Sequence, residues 1–184
     1  MARSARPGLS LIPGSVLLEV LRLKALPRAG WLRVGIAHPE SVAGHSWGLA
    51  WLVLVLCPDE LDRERALSLA VVHDLPEILA GDITPHDAVS PAEKRRKETA
   101  AADRLFADSP QLRALWQEYD DHSTPESRLV HQLDKLDMAL QAVRYQQDHD
   151  TDTREFIRSA LSRLSPAQQE LLRSVLPPSD ANPQ

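Results

Sequence analysis

Apolar residues recur with helical spacing in the segment 124–147. Five of them are separated by four, three, four and three positions, which places them on one face of a helix; they are Leu129, Leu133, Leu136, Leu140 and Val143. Asp134 lies beside this stripe, with Val130 one turn before it and Met138 one turn after it. The pattern predicts an amphipathic helix over 124–147 that carries a carboxylate close to its apolar face.

Hydroxyl residues followed by proline mark the starts of several helices, because they supply an N-cap oxygen and a preset first turn. The pairs are Ser90 with Pro91, Ser109 with Pro110, Thr124 with Pro125, and Ser165 with Pro166. Glu93 and Gln168 stand three residues after two of these serines, which predicts capping boxes there. Apolar spacing predicts further helices over 14–25, 41–57, 63–73, 75–80, 153–163 and 166–175.

The chain lacks the alternating pattern of a β-strand. The nearest approach, 32–36, is short and contains Gly35, and no Asn-Gly or Asp-Gly pair marks a hairpin. We therefore expect an all-α fold, a single-domain helical bundle over residues 1–184 with its core at about 14–176 and a flexible tail at 177–184. The longest apolar run, 47–57, is shorter than the roughly 20 residues that span a bilayer, and is predicted to be a buried helix.

Composition narrows the classes of function. Apolar residues make up 43% of the 184 residues and charged residues 26%, as in an ordinary soluble globular protein. The net charge of −5 argues against nucleic-acid binding, which needs a basic surface. Cys57 is the only cysteine, which excludes an intrachain disulfide and a cysteine metal cage. The first 13 residues lack the apolar core of a secretion signal, so we expect a cytoplasmic protein without a membrane span.

Histidines and aspartates stand at apolar places on three predicted helices. His73 and Asp74 end the apolar segment 66–72, His45 precedes the apolar run 47–57, and Asp134 lies beside the stripe of the long helix. Burying a charge costs on the order of several kcal/mol unless it is paired or binds a metal. The alternatives are therefore a cation or core histidines bonded to carboxylates. Two imidazoles and two carboxylates suit one divalent Mn, Fe, Co, Ni or Zn ion, with Mg less suited.

Three sequence blocks surround these residues. They are 40–47 (ESVAGHSW), 73–85 (HDLPEILAGDITP) and 133–138 (LDKLDM). In order and content they resemble the HD-domain phosphohydrolase superfamily, and more narrowly its 5′-deoxynucleotidase branch, over about 23–145. The resemblance implies a helical bundle of the HD-domain type in which His45, His73, Asp74 and Asp134 bind one metal ion. It also implies a homodimer.

The same resemblance assigns the remaining site residues. Glu77 and Asp82 become the catalytic carboxylates, and Glu77 stands one helical turn after Asp74, where it can face the same cavity. Arg28, Arg33 and Trp31 become the substrate-binding residues, since a guanidinium fits a phosphate dianion. The alternative interpretations are a surface carboxylate for Glu77, a turn residue for Asp82 and solvent-facing side chains for the arginines.

Two positions depart from the pattern of the family. Gly44 precedes His45 where an acidic residue is usual, and Ala29 stands where some bacterial members have tryptophan, so selection against a ribose 2′-hydroxyl does not follow. The expected activity is removal of the 5′-phosphate from (deoxy)nucleoside monophosphates. The alternatives are hydrolysis of a nucleotide phosphodiester or triphosphate, or a non-catalytic helical metal-binding protein. The basic run 93–98 and the other five histidines are expected on the surface.

Overall fold

The computed structural model describes residues 13–149 and 151–177. Within that part of the chain there is no β-strand, which confirms the all-α prediction, and no helix is long and apolar enough to cross a membrane. A 3₁₀ helix, Leu21–Ala25, follows the first helix. The α-helices are α1 (Gly14–Val20), α2 (Ala29–Arg33), α3 (Val42–Leu56), α4 (Arg63–Val72), α5 (Glu77–Ala80), α6 (Pro91–Leu105), α7 (Pro110–Asp120), α8 (Pro125–His149), α9 (Arg154–Leu161) and α10 (Pro166–Val175).

The predicted helix starts hold, although their caps differ. Ser165 and Gln168 form a full capping box at α10, as predicted. Ser90 accepts a hydrogen bond from the Glu93 backbone N–H at α6, but the reciprocal bond is missing, and the Ser109 side chain makes no capping bond. Thr124 forms a reciprocal pair with Ser127 at α8: the Ser127 N–H donates to the Thr124 hydroxyl at 3.1 Å, and the Ser127 hydroxyl accepts the Thr124 N–H at 3.0 Å.

The core lies where α3, α4 and α8 pack together. The apolar stripe of α8 points into it, with Leu133 and Leu136 fully buried against Leu49 of α3 and Leu69 of α4 in one hydrophobic cluster. This confirms the predicted amphipathic helix. The predicted tail beyond Pro177 lies outside the described residues.

Helix α3 corrects the prediction of a buried helix over 47–57. Leu49 and Val53 are buried, but Trp47 and Trp51 on the opposite side are 72% and 53% exposed. The reason is that the 3₁₀ helix, α4 and α8 pack against one side of α3 only, whereas the helix is apolar all round and its composition does not mark the covered face.

The segment that precedes α3 also differs from its prediction. The predicted helix over 14–25 is divided into α1 and the 3₁₀ helix, and a short helix that was not predicted, α2, contains Trp31. The segment doubles back, because the Arg28 N–H donates to the Glu40 carbonyl at 3.1 Å and the Val42 N–H to the Leu26 carbonyl at 2.8 Å. Arg28 is thereby fixed next to the start of α3.

Candidate metal centre

The side chains of His45, His73, Asp74 and Asp134 meet between α3, α4 and α8. The two histidine Nε2 atoms are 3.4 Å apart. Asp74 Oδ2 lies 3.0 Å from Nε2 of His73 and 3.7 Å from Nε2 of His45. Asp134 Oδ1 lies 3.2 Å from Nε2 of His45. The four residues that the sequence singled out, spread over 90 positions, therefore point their donor atoms at one another.

The electrostatics of this cluster suit a cation. Burial alone raises the pKa of both aspartates, but His73 and Arg28 at Asp74, and Lys135 and His45 at Asp134, hold each pKa below its ordinary value. Burial and Arg28 lower the pKa of His45, yet hydrogen bonds to aspartates raise it to about 10. The carboxylates of Asp134 and Asp137 thus favour a positive charge on the His45 imidazole. A divalent ion supplies the same charge, and His45, His73 and Asp74 are spaced so that they could hold one.

Both imidazole rings are oriented by the nitrogen that faces away from the cluster. The Nδ1 of His73 lies 2.8 Å from the Ala70 carbonyl, to which Nδ1–H donates. The Nδ1 of His45 lies 2.7 Å from Asp137 Oδ2 on α8. In each ring Nε2 remains for a metal ion, which is the arrangement found around metal-binding histidines.

The second oxygen of Asp134 is held by two donors. Tyr119 of α7 donates its hydroxyl to Oδ2 at 3.3 Å, and Lys135 donates its ammonium at 3.0 Å. Burial and the adjacent Asp134 keep the pKa of Tyr119 well above its ordinary value, so its hydroxyl stays a donor. Asp134 therefore presents Oδ1 to the histidines in a fixed orientation.

Arg28 lies beside the cluster among three carboxylates. Its Nη1 is 3.5 Å from Asp74, 4.0 Å from Glu77 and 3.5 Å from Asp82. Glu77 is only 5% exposed, and its Oε2 has no hydrogen-bond partner. Burial raises the pKa of Glu77 well above its ordinary value, and the charges of Asp74 and Asp82 raise it further. Glu77 is thus a buried carboxyl group that can carry a proton.

Asp82 contacts both the backbone of α2 and the side chain of Arg28. Its Oδ2 accepts the Ala29 N–H at the start of α2 at 2.8 Å, and Oδ1 faces the Arg28 guanidinium. Gly81 before it has a φ of 82°, a conformation that favours glycine, and ends α5 as the sequence predicted. Asp82 is therefore engaged on both oxygens, whereas Glu77 is not.

The three predicted substrate residues occupy different environments. Arg28 faces the cluster, as described. Trp31 is 2% exposed, and its Nε1–H donates to Glu40 at 3.0 Å, so it packs in the core. Arg33 forms an ion pair with Glu155 and lies over the ring of Phe156. Their contact with substrate stays a prediction.

A cavity of about 670 Å³ opens beside the cluster and is lined by Arg28, Asp74, Glu77 and Asp134. This volume is within the range of small-ligand sites, roughly 300–1,000 Å³. Lys94 also lines the cavity, and its ammonium donates to the Ile83 carbonyl at 2.8 Å. The sequence predicted Lys94 to lie on a solvated basic face, and its place beside the cavity was not predicted.

Other neighbours of the cluster were not found by sequence reasoning either. Asp137 stands one helical turn after Asp134, and that spacing on α8 could have indicated a shared face. Tyr119 carries no comparable signal, because it reaches the cluster from another helix. Of the five remaining histidines, four are exposed as predicted, whereas His131 is partly buried and stacks on Tyr119 at 3.9 Å between ring centroids.

Comparison with known proteins agrees with this geometry. A family model described as the HD domain matches residues 20–175. The chain is 38% identical over 153 residues to 5′-deoxynucleotidase hdd1 of Schizosaccharomyces pombe, which covers 78% of this chain and 76% of that protein. It is 38% identical over 139 residues to 5′-deoxynucleotidase HDDC2 of Homo sapiens, with 71% and 68% covered. The crystal structure of PH0347 protein from Pyrococcus horikoshii OT3 matches with a TM-score of 0.76 and 37% identity, over 88% of this chain and 96% of that one.

Proposed function

The chain belongs to the HD-domain family, and from this membership we propose that it is a metal-dependent 5′-deoxynucleotidase, which hydrolyses the 5′-phosphate of deoxynucleoside monophosphates. The observation that carries the proposal is the convergence of His45, His73, Asp74 and Asp134 at the wall of a cavity that also exposes Arg28 and Glu77. The two relatives named above are both called 5′-deoxynucleotidases, which supports the substrate class.

The four converging side chains are our proposed metal ligands. Two imidazole nitrogens and two carboxylate oxygens favour Mn²⁺, Co²⁺, Fe²⁺, Ni²⁺ or Zn²⁺ over Mg²⁺, which prefers oxygen ligands. When bound, one such ion supplies positive charge that stabilises the transferring phosphoryl group and activates water for attack. Because only four ligands come from the protein, positions remain open for water and a phosphate oxygen.

Arg28 binds the phosphate in this proposal. Its guanidinium already lies within 4.0 Å of Asp74, Glu77 and Asp82, which fix its direction and hold it charged. A phosphate dianion in the cavity would compete with these carboxylates for the donors of Arg28, and the guanidinium would stabilise the negative charge that builds up on the equatorial oxygens. Arg33 and Trp31 also line the cavity and remain proposed substrate residues, with Arg33 paired there with Glu155.

Glu77 moves the proton. Its Oε2 is buried and has no hydrogen-bond partner, Glu77 lines the cavity, and its raised pKa favours a bound proton more than at an exposed glutamate. A group of this kind can give a proton to the departing 5′-oxygen or take one from the attacking water. Asp82 is proposed as the second catalytic carboxylate, and its bonds to Ala29 and Arg28 support a contribution through the placement of Arg28.

A phosphate-release assay tests the proposal. Metal-free protein is supplied in turn with Mn²⁺, Co²⁺, Zn²⁺ and Mg²⁺, and is given deoxy- and ribonucleoside 5′-monophosphates, a 3′-monophosphate, a nucleotide phosphodiester and a triphosphate. We expect inorganic phosphate from the 5′-monophosphates with a transition metal. Cleavage of only the phosphodiester or triphosphate would overturn the substrate class. Metal binding without turnover of any compound would favour a non-catalytic metal-binding protein.

The exposed side of α3 is our proposed homodimer interface. Its apolar residues follow helical spacing and lie on one face; they are Trp47, Trp51, Leu54 and Val55, each at least half exposed. Monomeric proteins rarely expose a large contiguous apolar patch, and a second copy covers it with an identical surface. In light scattering after gel filtration we expect a dimer, and a monomer when Trp47 and Trp51 are both changed to Glu. Leu171→Glu on α10 is the control and should leave the dimer intact.

Two further predictions concern organisation. We propose one domain, supported by a single cluster of buried residues that runs from Leu23 to Leu172. We propose the cytoplasm as the compartment, supported by the lone thiol Cys57, since secreted proteins of this size commonly carry disulfides.

A further inference from the structure

Gly48 of α3 faces the side chain of Asp137 on α8 at very short range. A Cβ atom built at position 48 would overlap Asp137 Oδ1 and lie 3.1 Å from its Cγ. Real side chains do not tolerate such an approach, so the carboxylate of Asp137 takes the place that a side chain at position 48 would fill. The position of the Asp137 carboxylate therefore depends on glycine at position 48.

The same carboxylate bonds to His45, which stands one helical turn before Gly48. Asp137 Oδ2 is 2.7 Å from His45 Nδ1, a distance typical of a strong charge-assisted hydrogen bond. The His45 ring is fully buried, and the Asp137 side chain is mostly buried. Among the described residues, His45 is the one ion-pair partner within 4.0 Å of Asp137.

These contacts fix which nitrogen of His45 is free. A carboxylate can only accept a hydrogen bond, so Nδ1 must carry the proton that it donates to Asp137. Nε2, on the other side of the ring, then faces His73, Asp74 and Asp134. His73 reaches the same state through the Ala70 carbonyl. The two histidines thus use different acceptors, one from the backbone and one from a side chain on another helix.

We propose that Asp137 is a positioning residue that orients His45 for metal binding through Nε2, and that Gly48 provides the space in which its carboxylate sits. The inference rests on the metal site of the proposed function. It assigns to α8 a second role in the site, because Asp134 contributes a ligand and Asp137, one turn later, orients the ligand from α3. Outer carboxylates of this kind typically change metal affinity about 10- to 100-fold when removed.

Calorimetric titration of metal-free protein with Zn²⁺ tests the proposal, with circular dichroism to verify folding. We expect Asp137→Ala to weaken Zn²⁺ binding at least about 10-fold, and Asp137→Asn to weaken it less, because the amide oxygen still accepts the Nδ1 proton. Gly48→Ala should weaken binding as well, since the methyl group displaces the carboxylate. Gly44→Ala is the matched control on the same helix: its Cβ would meet nothing closer than 3.5 Å, and binding should be unchanged.

A second measurement needs no variant. In the Zn²⁺-loaded wild type, long-range ¹H–¹⁵N correlations should show His45 protonated at Nδ1 and bound to metal through Nε2. The opposite assignment would overturn the inference, as would equal Zn²⁺ affinity in the wild type and Asp137→Ala. Two Zn²⁺ ions per chain, with loss of the second in Asp137→Ala, would also overturn it and make Asp137 a ligand beside Glu40. Failure of the wild type to bind Zn²⁺, Mn²⁺ or Co²⁺ would instead reject the metal site of the proposed function.

Discussion

Tyr119 donates its hydroxyl to Asp134 across 3.3 Å, which connects α7 to a cluster otherwise built from α3, α4 and α8. Removing that hydroxyl as Tyr119→Phe leaves the ring stack with His131 in place. Because the bond is long, we expect a loss of about 1 kcal/mol, or roughly fivefold in metal affinity. Titration with Mn²⁺ or Zn²⁺ measures it. An affinity equal to that of the wild type would show that Lys135 alone orients Asp134.

Loss of a proposed ligand should remove the metal ion. His73→Ala deletes a buried donor that lies 3.4 Å from His45 and 3.0 Å from Asp74. We expect elemental analysis to find substoichiometric metal and the phosphate-release rate to fall to background. His38→Ala changes an exposed histidine that does not line the cavity and is the control. A His73→Ala protein with full metal content and full activity would contradict the ligand assignment.

Replacing Glu77 by Gln separates proton transfer from metal binding. The amide keeps the size of the side chain but cannot exchange a proton, so kcat should fall by about 10²- to 10⁴-fold. Metal content should stay at the wild-type level, because Glu77 contacts Arg28 and not the histidines. The loss should be accompanied by disappearance of one limb of the pH profile of kcat. Unaltered turnover in this variant would remove Glu77 from the mechanism.

His131 makes stability depend on pH. Burial lowers its pKa to about 4, and nearby His122 contributes to the decrease, whereas the unfolded chain has a histidine pKa of about 6.5. Between these values the unfolded state binds more protons than the folded state, so the free energy of unfolding decreases as the pH falls from about 6.5 to about 4. The free energy of unfolding is therefore highest above about pH 6.5, and the protonation of His131 lowers it by at most about 3 kcal/mol at acid pH.

Urea unfolding at several pH values checks this contribution. The free energy of unfolding of the wild type should fall relative to that of His131→Gln as the pH decreases from about 6.5 to about 4, by at most about 3 kcal/mol. His38→Gln removes an exposed histidine and should run parallel to the wild type. Parallel curves for all three proteins would contradict a buried, neutral His131.

Sequence patterns predicted the helices whose stability depends on local signals. The stripe of α8 and the capping box at Ser165 are examples, since both lie within a few residues of the feature that they determine. Helix α2 was not predicted because the residues that stabilise it lie far away along the chain. Its first N–H is bonded to Asp82, 53 residues away, and Arg33 at its end pairs with Glu155, 122 residues away.

The proposed ligands were found through the order of their motifs and the resemblance that it carried. Their environment was not. The spacing from Asp134 indicates that Asp137 lies on the same face of α8, but its bond to His45 depends on how α8 and α3 pack at Gly48, which no spacing along the chain reveals. Lys94 was predicted to lie on a solvated face for a similar reason. Its ammonium is bonded to the carbonyl of Ile83, 11 residues earlier, and this contact is not visible in the sequence.

Backbone hydrogen bonds between residues 26–28 and 40–42 connect Arg28 to the start of α3. The Arg28 N–H is bonded to the Glu40 carbonyl, and the next residue along, Ser41, caps the helix that carries His45. Arg28, which we propose to bind the phosphate, and His45 are therefore held by one short hydrogen-bonded segment. A shift of the Arg28 backbone would therefore also displace the N-terminus of α3, and with it His45, because both are tied to the adjacent residues Glu40 and Ser41.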